Sequence, residues 1–544
     1  MILVNRKKQL LRKTFMPAAV TKKNPRPVYF LPATVLILLV STLFRVWDLA
    51  GVSLWSDEHF SRYRHELSFS GMINDLAVNG TQVPLYFIIA RLFPADNHYL
   101  LRMPALFTAL VSIALFILVI ERLYGRPRLA LLAGALLAFN PYHIWLSRQA
   151  RFYPLLFLLA LASSFLFLII VHRRRSTLRW ILFMVVTAGA YLTHYFALAL
   201  PVAQYLYMFA VVRNDRGFLF KWFAAQTLAF APAAAWFVYS RSQPDTVYGI
   251  AWIPEPGPDT LPTTLANFLT GFTGTWEWYF VPALLLAAGG LVAGIITAVR
   301  RWKTQPINLY WVFLVFVPPL LIYLYSVAYL DVSIYMDRYF MGVLPGAIML
   351  MLVGWNALGP GRQRLVVGLV LVFLMLNSAT VANTFSENEH EMYDFISAAE
   401  QFEEKRQPGD GLMLVPNGSI LVFERYAPVR QMNDLLIVDP FVEWQDTAPE
   451  VDWVLALQEQ VTGVDIQRMW VIFRNPSINQ HRTLVQADWN PFAPSRFAEE
   501  ERGVHKWLSE HRDDVIYEDS FNGIRLFLLE YEVPVAATIP YPAP

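Results

Sequence analysis

The feature that most constrains this chain is a recurrence. Up to about residue 383, the sequence returns repeatedly to apolar runs of roughly 18–22 residues, each long enough to cross ~30 Å of hydrocarbon as a helix. Such helices satisfy their own backbone hydrogen bonds, which lipid demands and an isolated strand cannot do. The runs predict eleven spans, near 29–49, 100–120, 129–146, 154–171, 180–194, 195–212, 219–239, 278–298, 308–329, 339–357 and 365–383. No polar loop divides 180–212 into its two spans. Only 16% of the 544 residues are charged and 56% are hydrophobic, against about 25% charged in a soluble domain. The fold class is a polytopic α-helical membrane protein.

Charge orders the connectors. The basic stretches are the N-terminus (1–28), "ERLYGRPR" (121–128), "HRRRSTLR" (172–179), "RNDRGFLFK" (213–221), "VRRWKTQ" (299–305) and "GPGRQR" (359–364). The positive-inside rule places these in the cytoplasm. The N-terminus is basic but lacks a short apolar core with a small-residue cleavage site, so it reads as a retained cytoplasmic segment. With eleven crossings, alternation puts the first loop (51–99), "NPYHIWLSRQAR" (140–151), the long loop 240–277, "DVSIYMDR" (331–338) and residues 386–544 on the outer side. That last segment holds 12 Lys+Arg and 28 Asp+Glu, a balance of −16, so the remainder carries +18 of the overall +2. A basic membrane part (29–385) and an acidic tail imply two compartments, not a nucleic-acid partner. Cysteine is absent, which excludes disulfides, thiolate catalysis and Cys-ligated metals.

Two outer segments are more than connectors. Gln82–Pro94 is apolar but too short to span, and reads as an interfacial or re-entrant helix. Loop 240–277, rich in Pro, Gly and aromatics, is a candidate lid or substrate contact. In the tail, "EMYDFISAAEQFEEKRQPGD" and "FAEEERGVHKWLSEH" read as amphipathic helices, and "GLMLVPN", "RMWVIFRNP" and "RLFLLEYEV" as strands. Their alternation predicts a small α/β domain.

The ionisable residues gather at span ends. "SLWSDEHFSRYRHE" follows the first span and sets Asp57 and Glu58 side by side, with His59 next. One reading is a helix start, with Ser56 as N-cap and acids in a first turn favoured by the macrodipole. The other is a carboxylate base with a neighbour that positions substrate or metal. Arg102, Arg151 and Arg338 each open a different span on the outer side. They read either as snorkelling cations or as a forked recognition of phosphate. His194 and Tyr195 in "YLTHYFALALP" are either polar caps or sugar and phosphate contacts. Trp145, Trp276, Trp278, Tyr279, Tyr310 and Trp311 read as an interfacial aromatic belt.

"SLWSDEHFSR", "VPLYFIIARL", "LLRMPALFTALVSIALFILVIERLYG", "NPYHIWLSRQARFYPLLFLLALASSFLFL" and "YLTHYFALALPVAQ" follow one another in an order that resembles the GT-C membrane glycosyltransferases. The likeness is to bacterial relatives of the protein O-mannosyltransferases and of the aminoarabinose transferase. It covers residues 29–215 well and thins out towards 383. It implies a sugar donor on a polyprenyl phosphate, an active site at the outer face, and inverting transfer to a glycan, lipid or protein acceptor. Asp57 and Glu58 match the family's Asp-Glu pair, Arg102 the arginine that opens the second full span, and Arg151 with Tyr153 the "ARxY" stretch. The chain departs at Gln82-Val83-Pro84, where many relatives have His-Pro-Pro, and at Gln149-Ala150-Arg151, where many have Glu-Ala-Arg. Donor or acceptor identity is where these changes bear.

The resemblance therefore assigns Asp57 and Glu58 to catalysis, with a divalent cation on that pair as an option. It also gives Arg102 and Arg151 to the donor phosphate and Tyr153 to substrate; position at the outer span ends adds Arg338 to the phosphate and His194 and Tyr195 to substrate, with His59 beside the acidic pair. The bacterial inner membrane is the expected location. Rival readings are a lipid or sugar transporter, or flippase, and a non-catalytic membrane sensor. A transporter would place charge at span centres, whereas here it collects at the mouths.

Overall fold

The computed structural model describes residues 26–544 apart from 174–175, 213–214, 244–252, 254, 272–277, 330–332, 359–361, 386–393, 416–418, 439–465, 475–506, 509, 522–523 and 536–544. The chain divides into two compact units. One comprises Met1–Leu49 and Ser61–Thr384, the other Ala50–Phe60 and Phe385–Pro544.

The first unit is helical. Its elements are α1 (Phe30–Val46), α2 (Ser56–Glu66, begun in the second unit), α3 (Phe69–Val78), α4 (Leu85–Ala90), α5 (His98–Tyr124), α6 (Pro127–Ala138), α7 (Pro141–Ser147), α8 (Tyr153–Arg173), α9 (Thr177–Tyr191), α10 (Leu200–Val212), α11 (Arg216–Arg241), α12 (Thr260–Thr270), α13 (Phe280–Arg300), α14 (Ile307–Tyr329), α15 (Leu344–Asn356) and α16 (Gln363–Thr384). All eleven expected spans fall on helices. Among the described residues, seven helices are long and apolar enough to cross a membrane, and the bent pair α6–α7 makes an eighth. Of the rest, α1 and α9 are apolar but have 17 and 15 residues. Helix α11 has 26 residues, its apolar character diluted by Gln226 and Pro232.

The boundaries follow local chemistry. Asn97 caps α5 by accepting from Leu100 N–H, and Gly125 ends it in the left-handed conformation at φ 62°. Pro127 and Pro141 open α6 and α7, where a missing N–H costs nothing. The 59° bend between those two helices falls at Phe139–Asn140. Arg45 closes the gap it leaves, donating to Ala138 O at 3.0 Å. Helices α13 and α15 pack with backbones in contact. A Cβ on Gly294 would collide with Leu350 O, and one on Gly354 with Gly290 O. Small residues of this kind let helices approach closely within a membrane.

The expected short helix within Gln82–Pro94 is α4, only six residues long. Loop 240–277 contains a full helix, α12. The aromatic belt needs correction. Tyr310 and Trp311 are fully buried, bonded to Ser164 Oγ at 2.7 Å and Tyr124 Oη at 2.8 Å. A phenol and an indole reach the interior once their polar tips find partners there. Tyr279 is buried too, whereas Trp278 is exposed; Trp276 lies outside the described residues.

The second unit is α/β, as expected. Helix α17 (Phe395–Lys405) precedes β1 (Gly411–Val415), α18 (Ile420–Phe423), β2 (Leu436–Val438), β3 (Ile466–Arg474), β4 (Val515–Phe521) and β5 (Ile524–Val535). The sheet order is β2-β1-β3-β5-β4. Strand β1 runs parallel to β2 and β3, and β5 antiparallel to β3 and β4. Both faces are covered, which is why "LMLV" and "MWVIF" are continuous apolar runs. Leu412, Leu414, Trp470 and Ile472 pack under Phe395, Ala398 and Phe402 of α17. Met413, Met469 and Val471 pack with Trp507 and Leu508 on the other face. The helix expected over 497–511 lies mostly outside the described residues.

Candidate active site

In the helical unit, the stretch that follows α7 carries Arg151. Its anchor is Arg148, which donates through Nη1 to Phe44 O at 3.3 Å, Arg45 O at 3.2 Å and Trp47 O at 2.6 Å. A cation on the last carbonyls of α1 is the favourable pole of that helix. Arg151 then rests over the Phe152 ring, 5.1 Å from its centroid.

From there the aromatic groups form a cluster. The His194 ring stacks on Phe152 at 4.7 Å and leans on Tyr339 at 4.5 Å. Tyr153 lies parallel to Tyr339 at 6.4 Å and against Phe152 at 4.6 Å. Arg338 sits over Tyr339 at 5.8 Å. Two guanidiniums thus share one platform of Phe152, Tyr153, His194 and Tyr339. Nδ1 of His194 accepts from Phe196 N–H at 3.2 Å, so a neutral ring there carries its proton on Nε2.

The Arg338 side of the platform is held by Asp337. Its carboxylate accepts from Asn267 Nδ2 and from Arg338 N–H, both at 2.6 Å. Its carbonyl accepts from Tyr142 Oη at 2.8 Å. Tyr335 Oη bonds Thr264 Oγ1 at 2.8 Å. The helix inside loop 240–277 therefore acts as a support for the platform. Sequence reasoning missed Phe152, Tyr339, Asp337 and Asn267. Three of the four adjoin arginines it had named, and that adjacency was the available signal.

The other nominated residues lie elsewhere. Arg102 is only 2% exposed and donates to Leu49 O at 2.7 Å, which rules out snorkelling to headgroups. The Tyr195 ring lies edge-on to Phe237 of α11 at 6.4 Å.

In the second unit, α2 begins at Ser56 with Asp57 and Glu58 in its first turn. The acids thus stand in a first turn, where the macrodipole favours them, while the first helical amides bond Trp55 O and not Ser56. Asp57 is half-buried and Glu58 only 1% exposed. The His59 ring meets Phe60 edge-on at 6.4 Å. Leu54 N–H donates to Tyr426 Oη at 2.7 Å, and Ile396 N–H to Ser53 Oγ at 3.3 Å. In the helical unit, the later part of α2 is fixed by Arg64 Nε on Asp75 at 2.6 Å and by His65 Nε2 with Phe93 O at 2.9 Å.

No group of three or more His, Asp or Glu side chains able to hold a metal occurs among the described residues. Two neighbouring carboxylates are too few ligands for a closed site. A cation on Asp57 and Glu58 would need most of its ligands from substrate or water.

No family model and no curated protein sequence matches the chain. Solved structures do. ArnT from Cupriavidus metallidurans, bound to undecaprenyl phosphate, matches over 94% of this chain and 99% of its own at 14% identity, with a TM-score of 0.50. The fold is that of ArnT. Its apo state matches over 92% of this chain and 97% of ArnT, with a TM-score of 0.51 at the same 14% identity. The oligosaccharyltransferase of Archaeoglobus fulgidus, in complex with Zn and sulfate, is 11% identical over 86% of this chain and 70% of its own, with a TM-score of 0.49. The likeness to ArnT runs from the helices through the C-terminal sheet. The GT-C architecture expected from the ordered motifs is thereby borne out as a fold.

Proposed function

We propose that this chain is an inverting glycosyltransferase that moves a sugar from a polyprenyl-phosphate carrier to a glycan, lipid or protein acceptor at the outer face of the bacterial inner membrane. The observation that carries the reading is the platform. Two buried arginines rest on a cluster of stacked rings at the ends of apolar helices. Rings offer a flat surface to a sugar, and guanidiniums match phosphate oxygens two at a time. The ArnT fold adds support, because ArnT itself is known with undecaprenyl phosphate bound.

The chemistry divides among the residues as follows. Asp57 takes the proton of the acceptor hydroxyl or amine as that group attacks the anomeric carbon. A positioned carboxylate can accept that proton in the transition state. Glu58 orients the acceptor or contributes to a divalent cation. The bond between the anomeric carbon and the phosphate oxygen breaks, and polyprenyl phosphate leaves with the electron pair. Arg102, Arg151 and Arg338 receive that negative charge in a preorganised setting. Tyr153, His194, Tyr195 and His59 contact the substrates.

The test is a panel of polyprenyl-phosphate sugars offered to purified protein with candidate acceptors. Release of free polyprenyl phosphate is the expected result; none from any donor would overturn the reading. Added protease should cleave residues 386–544 in intact spheroplasts, and protection there would place the tail inside.

A further inference from the structure

The acidic pair falls in the second unit. Ala50–Phe60, which contains Asp57 and Glu58, belongs to the compact unit formed by the C-terminal sheet domain. Hydrogen bonds join the two stretches. Ile396 N–H lies in the first turn of α17, where no helical carbonyl can serve it, and it donates to Ser53 Oγ at 3.3 Å. Leu54 N–H precedes the start of α2, so it too lacks a helical acceptor, and it donates to Tyr426 Oη at 2.7 Å. Ser53 is 4% exposed and Leu54 fully buried, so each bond serves a backbone N–H that its own helix leaves unserved. The Tyr426 ring is in turn packed against the core of the sheet domain.

We propose that Tyr426 is a positioning residue for Asp57. Its hydroxyl fixes the backbone three residues before the carboxylate and so sets where α2 begins. The C-terminal domain is then a cradle for the acidic pair. Neither signal was visible in sequence, since 372 residues separate Leu54 from Tyr426. The inference rests on the reading of Asp57 as the base. A base misplaced by about an ångström loses up to ~100-fold in rate, while a distant donor site is little affected.

Tyr426→Phe keeps the ring and deletes only the hydroxyl. Tyr517→Phe is the control, because Tyr517 packs on the same core and its hydroxyl serves Gln401 and Asp519 instead. Two readouts apply to the full chain in detergent. In Tyr426→Phe, amide exchange in residues 50–60 should speed up about tenfold, as expected of a local opening. Its kcat should fall about tenfold with donor KM within about twofold, as expected of a misplaced base. Tyr517→Phe should match wild type in both. Unchanged exchange and kcat in Tyr426→Phe would overturn the proposal, as would equal losses in the two variants. Exchange needs no turnover, so a protein with no transferase activity can still pass or fail on the tether. Full activity in Asp57→Asn would sink the base assignment instead.

Discussion

The two units bury polar groups in different ways. Within the helical unit, buried arginines bond backbone carbonyls, and uncharged side chains bond one another between helices. Tyr191 Oη donates to Gln226 at 2.7 Å, Gln226 donates to Gln204 at 2.9 Å, and Ser163 bonds Thr187 at 2.8 Å. In the C-terminal unit, ion pairs lie at the margins of an apolar core. Glu518 joins Arg525 and Arg512, and Arg406 meets Asp434 at 3.1 Å. The difference follows from solvent. Lipid tails are as apolar as leucine, so helices in a membrane are held by close approach and internal hydrogen bonds. A water-exposed sheet is held by removing apolar surface from water.

The sharpest way to break this contrast is to disturb close approach. Gly294→Leu places a side chain into the backbone of α15, and neither partner has a flexible end to move. The expected outcome is loss of monodisperse protein in detergent, the largest of these effects. Amide protection of the C-terminal sheet should survive, and a folded wild-type-like membrane unit would contradict the packing account. On the other side, Phe402→Ala removes a ring set edge-on to Trp470 at 5.6 Å. It should cost about 3–5 kcal/mol, seen as lowered protection of β3, with the helical unit unaffected.

A smaller effect sharpens the contrast at the site. Arg151→Ala and Arg102→Ala should each weaken donor binding by about 1.5–3 kcal/mol, or roughly 10- to 150-fold, with acceptor KM little changed. Donor titration at saturating acceptor measures this, and unaltered affinity in both would assign these arginines to structure alone. The smallest effect concerns Glu518. Burial would raise its pKa, but Arg525 and Arg512 outweigh that and hold the carboxyl below its ordinary range. A depressed carboxylate contributes stability above its unfolded pKa and loses it as pH falls through the folded value. The C-terminal unit should therefore lose stability in acid, and Glu518→Gln should flatten that part of the pH profile.

The spans were legible because hydrocarbon thickness sets a length that sequence records directly. The strands β1, β3 and β5 were legible for a related reason, since burial on both faces leaves continuous apolar runs. Strands β2 and β4 were missed: the one has three residues, and the other reads "VIYEDSF", half polar at a sheet edge. At the site, charge at span ends marked Arg151 and Arg338, but nothing in their spacing told that Tyr339 would lie under both Arg338 and His194. The Arg45–His143 contact at 2.7 Å was hidden because His143 reads as part of an outer loop until the bend after α6 turns it inward. Such pairings are set by how helices cross, which periodicity does not encode.

The central claim is that Asp57 is the base of a lipid-phosphate glycosyl transfer. The direct measurement compares Asp57→Asn with wild type in a single turnover, following release of polyprenyl phosphate from a bound polyprenyl-phosphate sugar. The substitution keeps shape and removes basicity, so release should slow by about 10²–10⁴-fold while donor affinity stays at the wild-type value. Release at the wild-type rate would contradict the account and leave Asp57 only its place in the first turn of α2.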